Sequence, residues 1–379
     1  MDPTADRPKW RSAIAAGLYY SGVIRISERL SRQYEFAPRR RIGLAARDAR
    51  PKFAILCYHR IGTQGIPLFS GLPPQIFERQ MRFLRKHYQV VSLDEMCNQM
   101  AQPANAGNFV AVTFDDGYRD LYEHALPVLK RFSIPATVFL PVACIESAQV
   151  PWYDKIFLAL KVFKGEELAV SLDQRRTFQL DSYKARIQAA AQINGFLRTV
   201  PNATRQDFCE RFEKEIPLPA EELRGRMLSW EQVRTMSREG VSFGSHTMTH
   251  PAVSRLSNAE LDRELGDSKA ILEKRLQAPA PHFAFPFGKS NDCGTAARPV
   301  LARCAYRSAA TTVEGINMPG DDPYELRRVQ FGEERSLAMF ALRLGRLFLS
   351  PGVCHPTSSP TVAPPDFGAS RTANEQWAE

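Results

Sequence analysis

Two uninterrupted apolar runs stand out in the first third of the chain. They span residues 52–58 (KFAILCY) and 108–114 (NFVAVTF), and neither alternates between apolar and polar positions as a half-buried strand does. Strands without this alternation are usually buried on both faces, as in a parallel sheet. A shorter run at 241–243 has the same character. All three runs end directly before residues capable of chemistry, at 59–60 (HR), 115–117 (DDG) and 244–246 (GSH).

Segments with helical periodicity separate these runs. Residues 74–87 place Phe77, Met81 and Leu84 on one stripe, which predicts an amphipathic helix. Capping-box sequences, in which Ser is followed three residues later by Glu or Gln, begin at Ser92, Ser229 and Ser257. Strands that alternate with helices predict right-handed βαβ units, and here a barrel more than an open sheet.

One stretch interrupts this alternation. Residues from about 152 to 228 are charged and helical in pattern, and we interpret them as an insertion in a barrel domain that spans 51–350. Residues 351–379 are rich in Pro, Ser and Thr with almost no apolar clustering, which is typical of disorder. The sequence therefore predicts a single α/β barrel domain with a helical insertion, an N-terminal extension at 1–50 and a disordered C-terminal tail.

The N-terminal extension carries most of the chain's positive charge. It holds 11 Lys/Arg and 5 Asp/Glu, a net +6 out of the +9 of the whole sequence. Its apolar residues recur at helical spacing, which predicts a basic amphipathic helix that packs on the domain or, as an alternative, contacts a membrane surface. Because the charge is concentrated here and no nucleic-acid-binding module is recognisable, we exclude nucleic acid as a partner. The sequence contains no run of about 18 apolar residues, so it predicts no membrane-spanning helix.

The number and spacing of the cysteines indicate the redox environment of the protein. There are seven, without a CxxC pair, which indicates reduced thiols rather than a disulfide framework or a structural zinc site. The apolar segment at 13–24 lacks a convincing signal-peptide cleavage site. We therefore expect a cytoplasmic location, with peripheral membrane contact through the N-terminal helix as an option and a secreted or periplasmic location as the alternative. No oligomeric state is predicted.

Residues 113–118 (TFDDGY) place two adjacent carboxylates at a predicted strand end. Neighbouring side chains on extended backbone point in opposite directions, so one can bind a metal ion while the other faces a water molecule at the substrate. Gly117 permits a sharp turn that leaves both on the rim. In α/β barrels such groups converge at the C-terminal ends of the strands, where catalysis takes place. The alternative is a solvated Asp-Asp-Gly turn.

Residues 245–250 (SHTMTH) place His246 and His250 four positions apart. On a helical turn this spacing directs both imidazoles to one side, as a two-histidine metal site requires. With one carboxylate from 113–118, they would form an Asp-His-His site that leaves positions open for water and substrate. Zinc, or cobalt as an alternative, is compatible with these donors.

These two segments resemble the first two motifs of the NodB-type polysaccharide deacetylases, carbohydrate esterase family 4. The similarity continues through residues 56–62 (LCYHRIG), 283–288 (FAFPFG) and 325–329 (ELRRV). The resemblance implies a distorted (β/α)7 barrel, a divalent metal ion and hydrolysis of N-acetyl groups on sugars. It also assigns the base to Asp115 and the metal ligands to Asp116, His246 and His250.

The sequence departs from the family pattern at two motifs. Ala284 stands where the third motif has an arginine that orients the base, and Arg328 is a candidate either to replace it beside Asp115 or to contact the substrate. The histidine that serves as acid in the fifth motif is absent. His59, at the end of the first predicted strand, is a candidate for that acid, with a capping or packing role as the alternative.

Aromatic residues near these motifs are candidates for substrate contact. Tyr118 is predicted to contact the substrate, with core packing as the alternative, and a backbone N–H near it would stabilise the oxyanion. For the cluster at 152–155 (WYDK), core packing is favoured over stacking on a sugar ring.

We therefore predict a metal-dependent hydrolase that removes N-acetyl groups from a sugar in an exopolysaccharide, cell-wall or lipid-linked glycan. One alternative is a barrel hydrolase of a non-sugar amide. Another is a catalytically silent glycan-binding or scaffold protein, against which the intact Asp115 argues, because binding alone has no need of the second carboxylate.

Overall fold

The computed structural model of the protein describes residues 50–62, 71–103, 106–147, 149–332 and 334–349. The predicted amphipathic N-terminal helix and the predicted disordered tail lie outside these residues.

The described residues contain a large parallel sheet and a small antiparallel one. The strands are β1 (Lys52–Tyr58), β2 (Gln89–Val90), β3 (Asn108–Phe114), β4 (Ala136–Leu140), β5 (Glu167–Ser171), β6 (Arg175–Gln179), β7 (Val241–Ser245), β8 (His282–Ala284), β9 (Ser308–Ala310) and β10 (Val329–Gln330). Seven strands of the large sheet follow one another in the order β10-β1-β3-β4-β7-β8-β9, and β2 pairs with β3 alone. The apolar runs at 52–58 and 108–114 are strands with the predicted bounds.

Helices surround the sheet. They are α1 (Pro74–His87), α2 (Leu93–Ala101), α3 (Leu126–Phe132), α4 (Val142–Ser147), α5 (Trp152–Val162), α6 (Tyr183–Leu197), α7 (Asn202–Glu215), α8 (Ala220–Leu223), α9 (Trp230–Arg238), α10 (Asn258–Leu261), α11 (Ser268–Leu276), α12 (Ser290–Cys293), α13 (Ala297–Arg303) and α14 (Leu337–Leu349). Segments of π-helix lie at Leu121–Ala125 and Asp262–Asp267, and 3-10 turns lie at Val253–Arg255 and Pro323–Glu325. Within the described ranges, every helix is too short or too polar to cross a bilayer.

Both faces of the strands are apolar because both are covered. In β1, Phe53 and Ile55 belong to a cluster inside the curled sheet to which α2 also contributes, whereas Ala54 and Leu56 belong to the larger cluster formed with the other helices. This two-sided burial explains the unbroken apolar run that the sequence shows at 52–58.

The chain segment at 326–330 joins the two edges of the large sheet. The N–H of Leu326 donates to the carbonyl of Ala309 on β9 (3.0 Å), and the N–H of Thr311 donates to the carbonyl of Leu326 (2.8 Å). Three residues later Val329 pairs with Leu56 on β1. The sheet thus curls into a seven-stranded parallel barrel, which confirms the α/β barrel predicted from the sequence.

Residues 152–228 lie between β4 and β7 and contain helices α5 to α8. They also contain the hairpin of β5 and β6, which the sequence analysis did not predict. Its buried side chains, Leu168, Val170 and Phe178, alternate with exposed ones, the pattern of a half-covered strand.

Candidate active site

The predicted site residues meet at the carboxyl ends of the barrel strands. β1 and β3 pair in parallel with Tyr58 opposite Phe114. The pairing continues past both strands, because the N–H of Asp115 donates to the carbonyl of Tyr58 (2.9 Å). His59 and Asp115 therefore lie side by side, and β7 brings His246 to the same end of the barrel.

A sharp turn separates the environments of the two aspartates. Asp116 and Gly117 both have a φ of 72°, in the left-handed region that disfavours residues with a side chain. Glycine suits position 117, because it adopts this φ without strain and a Cβ there would press on Cδ2 of Leu140. Strained backbone of a residue like Asp116 is kept mainly at functional sites. The turn leaves the carboxylate of Asp116 beside two histidines and that of Asp115 beside Arg328.

The segment that carries the two histidines is a loop, so the predicted helical turn at 246–250 is wrong. Thr247 and His250 have φ values of 67° and 59°, and these left-handed residues bend the chain so that both imidazoles reach one point. Glu264, in the second π-helix segment, accepts hydrogen bonds from the N–H groups of Met248 (2.8 Å) and Thr249 (2.9 Å) and so holds the loop. Such π-helical segments often occur at functional sites.

Asp116, His246 and His250 form a buried cluster whose ligand atoms lie within 4.8 Å of one another. Oδ1 of Asp116 is 3.7 Å from Nε2 of His246 and 3.2 Å from Nε2 of His250. Ligand bonds of about 2.0–2.2 Å in a tetrahedral site place donor atoms at roughly this separation.

The hydrogen bonding of His246 prepares it to bind a metal ion. Its Nδ1 lies 2.7 Å from the carbonyl oxygen of Ala284, which assigns the proton to Nδ1 and leaves a lone pair on Nε2, the atom that faces Asp116. Burial lowers the pKa of His246 to about 4, so the ring is neutral. Imidazole and carboxylate donors in this arrangement fit a divalent ion of the zinc type.

Asp115 is held by Arg328. Nη1 and Nη2 of Arg328 donate to Oδ1 and Oδ2 of Asp115 at 2.7 and 2.8 Å, and Nε donates to the carbonyl of Thr311 (2.7 Å). Burial acts to raise the pKa of Asp115, but the Arg328 guanidinium, helped by His246, outweighs it and lowers that pKa well below the usual range. Arg328 is itself fully buried. It therefore lies beside Asp115, which is one of the two placements that the sequence suggested for it.

His59 is the most exposed member of the group. Its side chain is 27% exposed, and Nε2 lies 4.0 Å from Oδ2 of Asp115. The same oxygen lies 3.5 Å from the thiol sulfur of Cys57, whose side chain is buried beside it. His59 thus stands between the buried carboxylate and the open end of the barrel.

Tyr118 belongs to a buried polar network rather than to the surface of the site. Its hydroxyl donates to Oδ2 of Asp154 (2.8 Å), and the Arg60 guanidinium lies 4.5 Å from the centre of its ring. Arg60 in turn pairs with Asp120 (2.8 Å). The Tyr118 side chain is 1% exposed, which fits the alternative of core packing and not the predicted contact of this side chain with the substrate.

Two residues of α5 support the site and were missed as site residues from the sequence. Nε1 of Trp152 donates to the carbonyl of His250 (3.0 Å), and the ring of Tyr153 packs edge-on against that imidazole at 4.9 Å. Trp152 and Tyr153 are therefore buried, as core packing predicts, and both also contact a predicted metal ligand. The sequence shows only a tryptophan and a tyrosine at the start of a helix. The hydrogen-bond partner of the tryptophan lies 98 positions away, and no local sequence pattern identifies it.

Comparison with known proteins agrees with this geometry. The family model described as polysaccharide deacetylase matches residues 103–308, more than half of the chain. A protein of Bacillus subtilis (strain 168) named "Putative polysaccharide deacetylase YxkH" is 22% identical over 291 residues, which cover 76% of this chain and 75% of that protein.

Solved structures show the same fold. The Streptococcus pyogenes deacetylase PplD, solved in complex with acetate, aligns with a TM-score of 0.53 and 21% identity over 78% of this chain and 98% of its own. IcaB from Ammonifex degensii aligns with a TM-score of 0.50 and 20% identity over 77% of this chain and 97% of its own. The matched family model, together with this barrel, establishes that the chain belongs to the polysaccharide deacetylase family, hydrolases of carbon–nitrogen bonds other than peptide bonds.

Proposed function

We propose that this protein removes N-acetyl groups from an N-acetylated sugar or polysaccharide with the help of one divalent metal ion. The observation that carries the proposal is the division between the paired aspartates. Asp116 faces two imidazoles in a geometry suited to a metal ion, whereas both oxygens of Asp115 are bonded to Arg328. His246 lies near both carboxylates, at 3.9 and 3.7 Å, but of the two only Asp115 accepts hydrogen bonds from Arg328, as different roles for a ligand and a base require.

Asp116, His246 and His250 would hold the ion, which is zinc in our proposal, with cobalt as a substitute. When bound, such an ion polarises the acetamide carbonyl and lowers the pKa of a water molecule that it contacts.

Asp115 would accept the proton of the attacking water. Its ionised form is secured by Arg328, so the carboxylate is ready at neutral pH, and the two hydrogen bonds fix its orientation. A carboxylate oxygen keeps further lone pairs beside those used by a bidentate arginine, so the pairing leaves room for the water.

His59 would donate a proton to the departing amine. It is the member of the group nearest to solvent, and the sequence lacks the histidine that usually serves as this acid. A backbone N–H near Tyr118 would add a hydrogen bond to the oxyanion of the tetrahedral intermediate.

The geometry also favours an enzyme over a silent binding protein. A buried carboxylate paired with a buried arginine adds little stability compared with an apolar pair of similar volume. A protein that only binds glycans has no use for Asp115 in this position.

The proposal is tested by acetate release from a panel of N-acetylated glycans, using protein stripped of metal and reloaded with zinc or cobalt. We expect release to fall to background after stripping and to return on reloading. A sample taken through the same buffers without chelator is the control. Release that survives stripping contradicts the metal dependence, and its absence with every N-acetylated glycan of the panel contradicts the function.

A further inference from the structure

A second group of possible metal ligands adjoins the proposed catalytic site. Sγ of Cys57 lies 3.5 Å from Oδ2 of Asp115, and Nε2 of His59 lies 4.0 Å from the same oxygen. The three ligand atoms all lie within 4.8 Å of one another. None of the roles proposed above for the reaction uses the thiol of Cys57.

Strand geometry explains why these side chains converge. Cys57 and His59 are two residues apart along the extended chain at the end of β1, so they share one side of it. Cys57 pairs with Thr113 on β3, and continuing this register places His59 opposite Asp115. The convergence therefore follows from the sheet itself and does not depend on a flexible loop.

We propose that Cys57, His59 and Asp115 form a second site for a thiophilic divalent ion, and that filling it inhibits the enzyme. With bonds of about 2.3 Å to sulfur and 2.0–2.2 Å to oxygen, a tetrahedral ion spans a sulfur–oxygen distance close to the one observed. Thiolate, imidazole and carboxylate are the donors that select zinc or cadmium rather than magnesium or calcium.

The charges determine how this site is filled. The charge of Asp115 is already matched by Arg328, so this carboxylate brings no excess negative charge to an incoming ion. Binding breaks the S–H bond, forms a metal–sulfur bond and releases one proton to solvent, which supplies the negative charge that the ion needs. Among the residues that the structure describes, the carboxylate of Asp116 is not paired with an arginine, so an ion binds first at the Asp116 site. The second site therefore fills only when the ion is in excess over the Asp116 site.

The inhibitory effect rests on the function proposed above. An ion at this site would engage Asp115 and His59, the proposed base and the proposed acid, at the same time. Proton transfer in both directions would stop while the Asp116 site stays loaded.

The test uses full-length protein loaded with one equivalent of zinc and then titrated with cadmium. Cadmium–thiolate charge-transfer absorption reports on the second site, and acetate release is measured in parallel. Cys57→Ala removes the thiol, His59→Gln removes a second ligand without touching the thiol, and Cys304→Ser is a control at a half-buried thiol away from the group. Thermal unfolding confirms that each variant folds, and each is compared with its own activity before cadmium.

We expect one cadmium–thiolate band in the wild type and in Cys304→Ser, with acetate release falling as the band grows. Cys57→Ala should lose this band and its inhibition, and His59→Gln should bind cadmium at least about 10–100-fold more weakly, since even outer-shell partners of a metal are worth that much. Absence of the band in the wild type, its survival in Cys57→Ala, or its growth without inhibition would each overturn the inference. No acetate release with zinc alone would overturn the proposed function instead, because the absorption would still report on the site.

Discussion

Arg328 donates hydrogen bonds of 2.7 and 2.8 Å to the two carboxylate oxygens of Asp115, which lies 213 positions earlier in the chain. Both side chains are buried, at 0% and 1% exposure. A charge left alone in such an environment is strongly unfavourable, so each residue depends on the other. Removing either partner alone is therefore expected to destabilise the barrel, and the intact pair orients the proposed base.

Replacing Arg328 should destabilise the fold. We expect Arg328→Met to lower the free energy of unfolding by about 3–5 kcal/mol, because Asp115 is left buried without a partner. Arg327→Met is the matched control, because Arg327 is partly exposed and its ion pair with Asp321 is long, at 3.9 Å; it should change stability by less than about 1 kcal/mol. Adding Asp115→Asn to Arg328→Met should recover part of the loss. Denaturant unfolding measures all of these, and equal losses at positions 327 and 328 would contradict the role of the pair.

The two aspartates should respond differently to the same change. Per folded molecule, Asp115→Asn should retain the metal ion and lower turnover by roughly 10²–10⁴, the usual contribution of a positioned acid or base. Asp116→Asn should weaken metal affinity and lower activity through reduced occupancy. Elemental analysis combined with acetate release separates these effects. An Asp115→Asn variant that acts on the natural glycan at the wild-type rate would refute the mechanism.

His59 can be tested by the choice of leaving group. If it protonates the amine, His59→Gln should reduce turnover of amides far more than that of activated acetyl esters, whose leaving group needs little protonation. His124→Gln, at an exposed position on the first π-helix segment, serves as the control. Equal losses on both substrates would assign His59 a positioning role only.

Trp152 should influence the metal site from the insertion. Trp152→Phe keeps the aromatic packing but removes the hydrogen bond to the carbonyl of His250, so we expect metal affinity to fall by about 10-fold, as for other outer-shell partners. Trp230→Phe is the matched control, since that ring packs near Arg275 instead. Metal affinity is measured by competition with a chelator of known affinity. Equal metal affinities of the two variants would contradict an influence of Trp152 on the metal site.

Asp154 should make stability depend on pH. Burial raises its pKa to about 7 from an ordinary value of 3.8, although the hydrogen bond from Tyr118 opposes this shift. The folded state therefore holds this proton more tightly than the unfolded state, so the contribution to stability is most favourable below about pH 4 and declines as pH rises towards 7.

Asp154→Asn removes this titration and keeps an acceptor for the Tyr118 hydroxyl. Relative to the variant, the wild type should lose roughly 2–3 kcal/mol of stability between pH 5 and pH 8, at about 1.36 kcal/mol per pKa unit. Denaturant unfolding at the two pH values gives the comparison. Parallel pH profiles of the two proteins would show that Asp154 does not titrate in this range.

The barrel strands and α1 were predictable because their signals are local. An apolar run buried on two faces, or one apolar stripe on a helix, is complete within about ten residues, and residues 52–58, 74–87 and 108–114 have the predicted bounds. The hairpin of β5 and β6 was missed because its alternation lies within a charged stretch that resembles surface helix.

The sequence indicated which residues of the candidate site would come together, but not the backbone conformation that brings them together. Four-residue spacing between His246 and His250 does not distinguish a helical turn from a loop, and here two left-handed residues form a loop. The sequence left two roles open for Arg328, pairing with Asp115 or contact with the substrate. Its partner depends on how the barrel closes, which no local pattern shows. The hydrogen bond from Trp152 to the loop depends likewise on tertiary packing.

The segment that joins the two edges of the sheet also carries Arg328. A chain that stops before this segment, during synthesis or after truncation, has Asp115 without its cation. Without the two hydrogen bonds from Arg328, the carboxylate loses the orientation that they give it. The proposed base therefore becomes competent only when the last strand of the barrel is in place, so that chains with an incomplete barrel stay inactive.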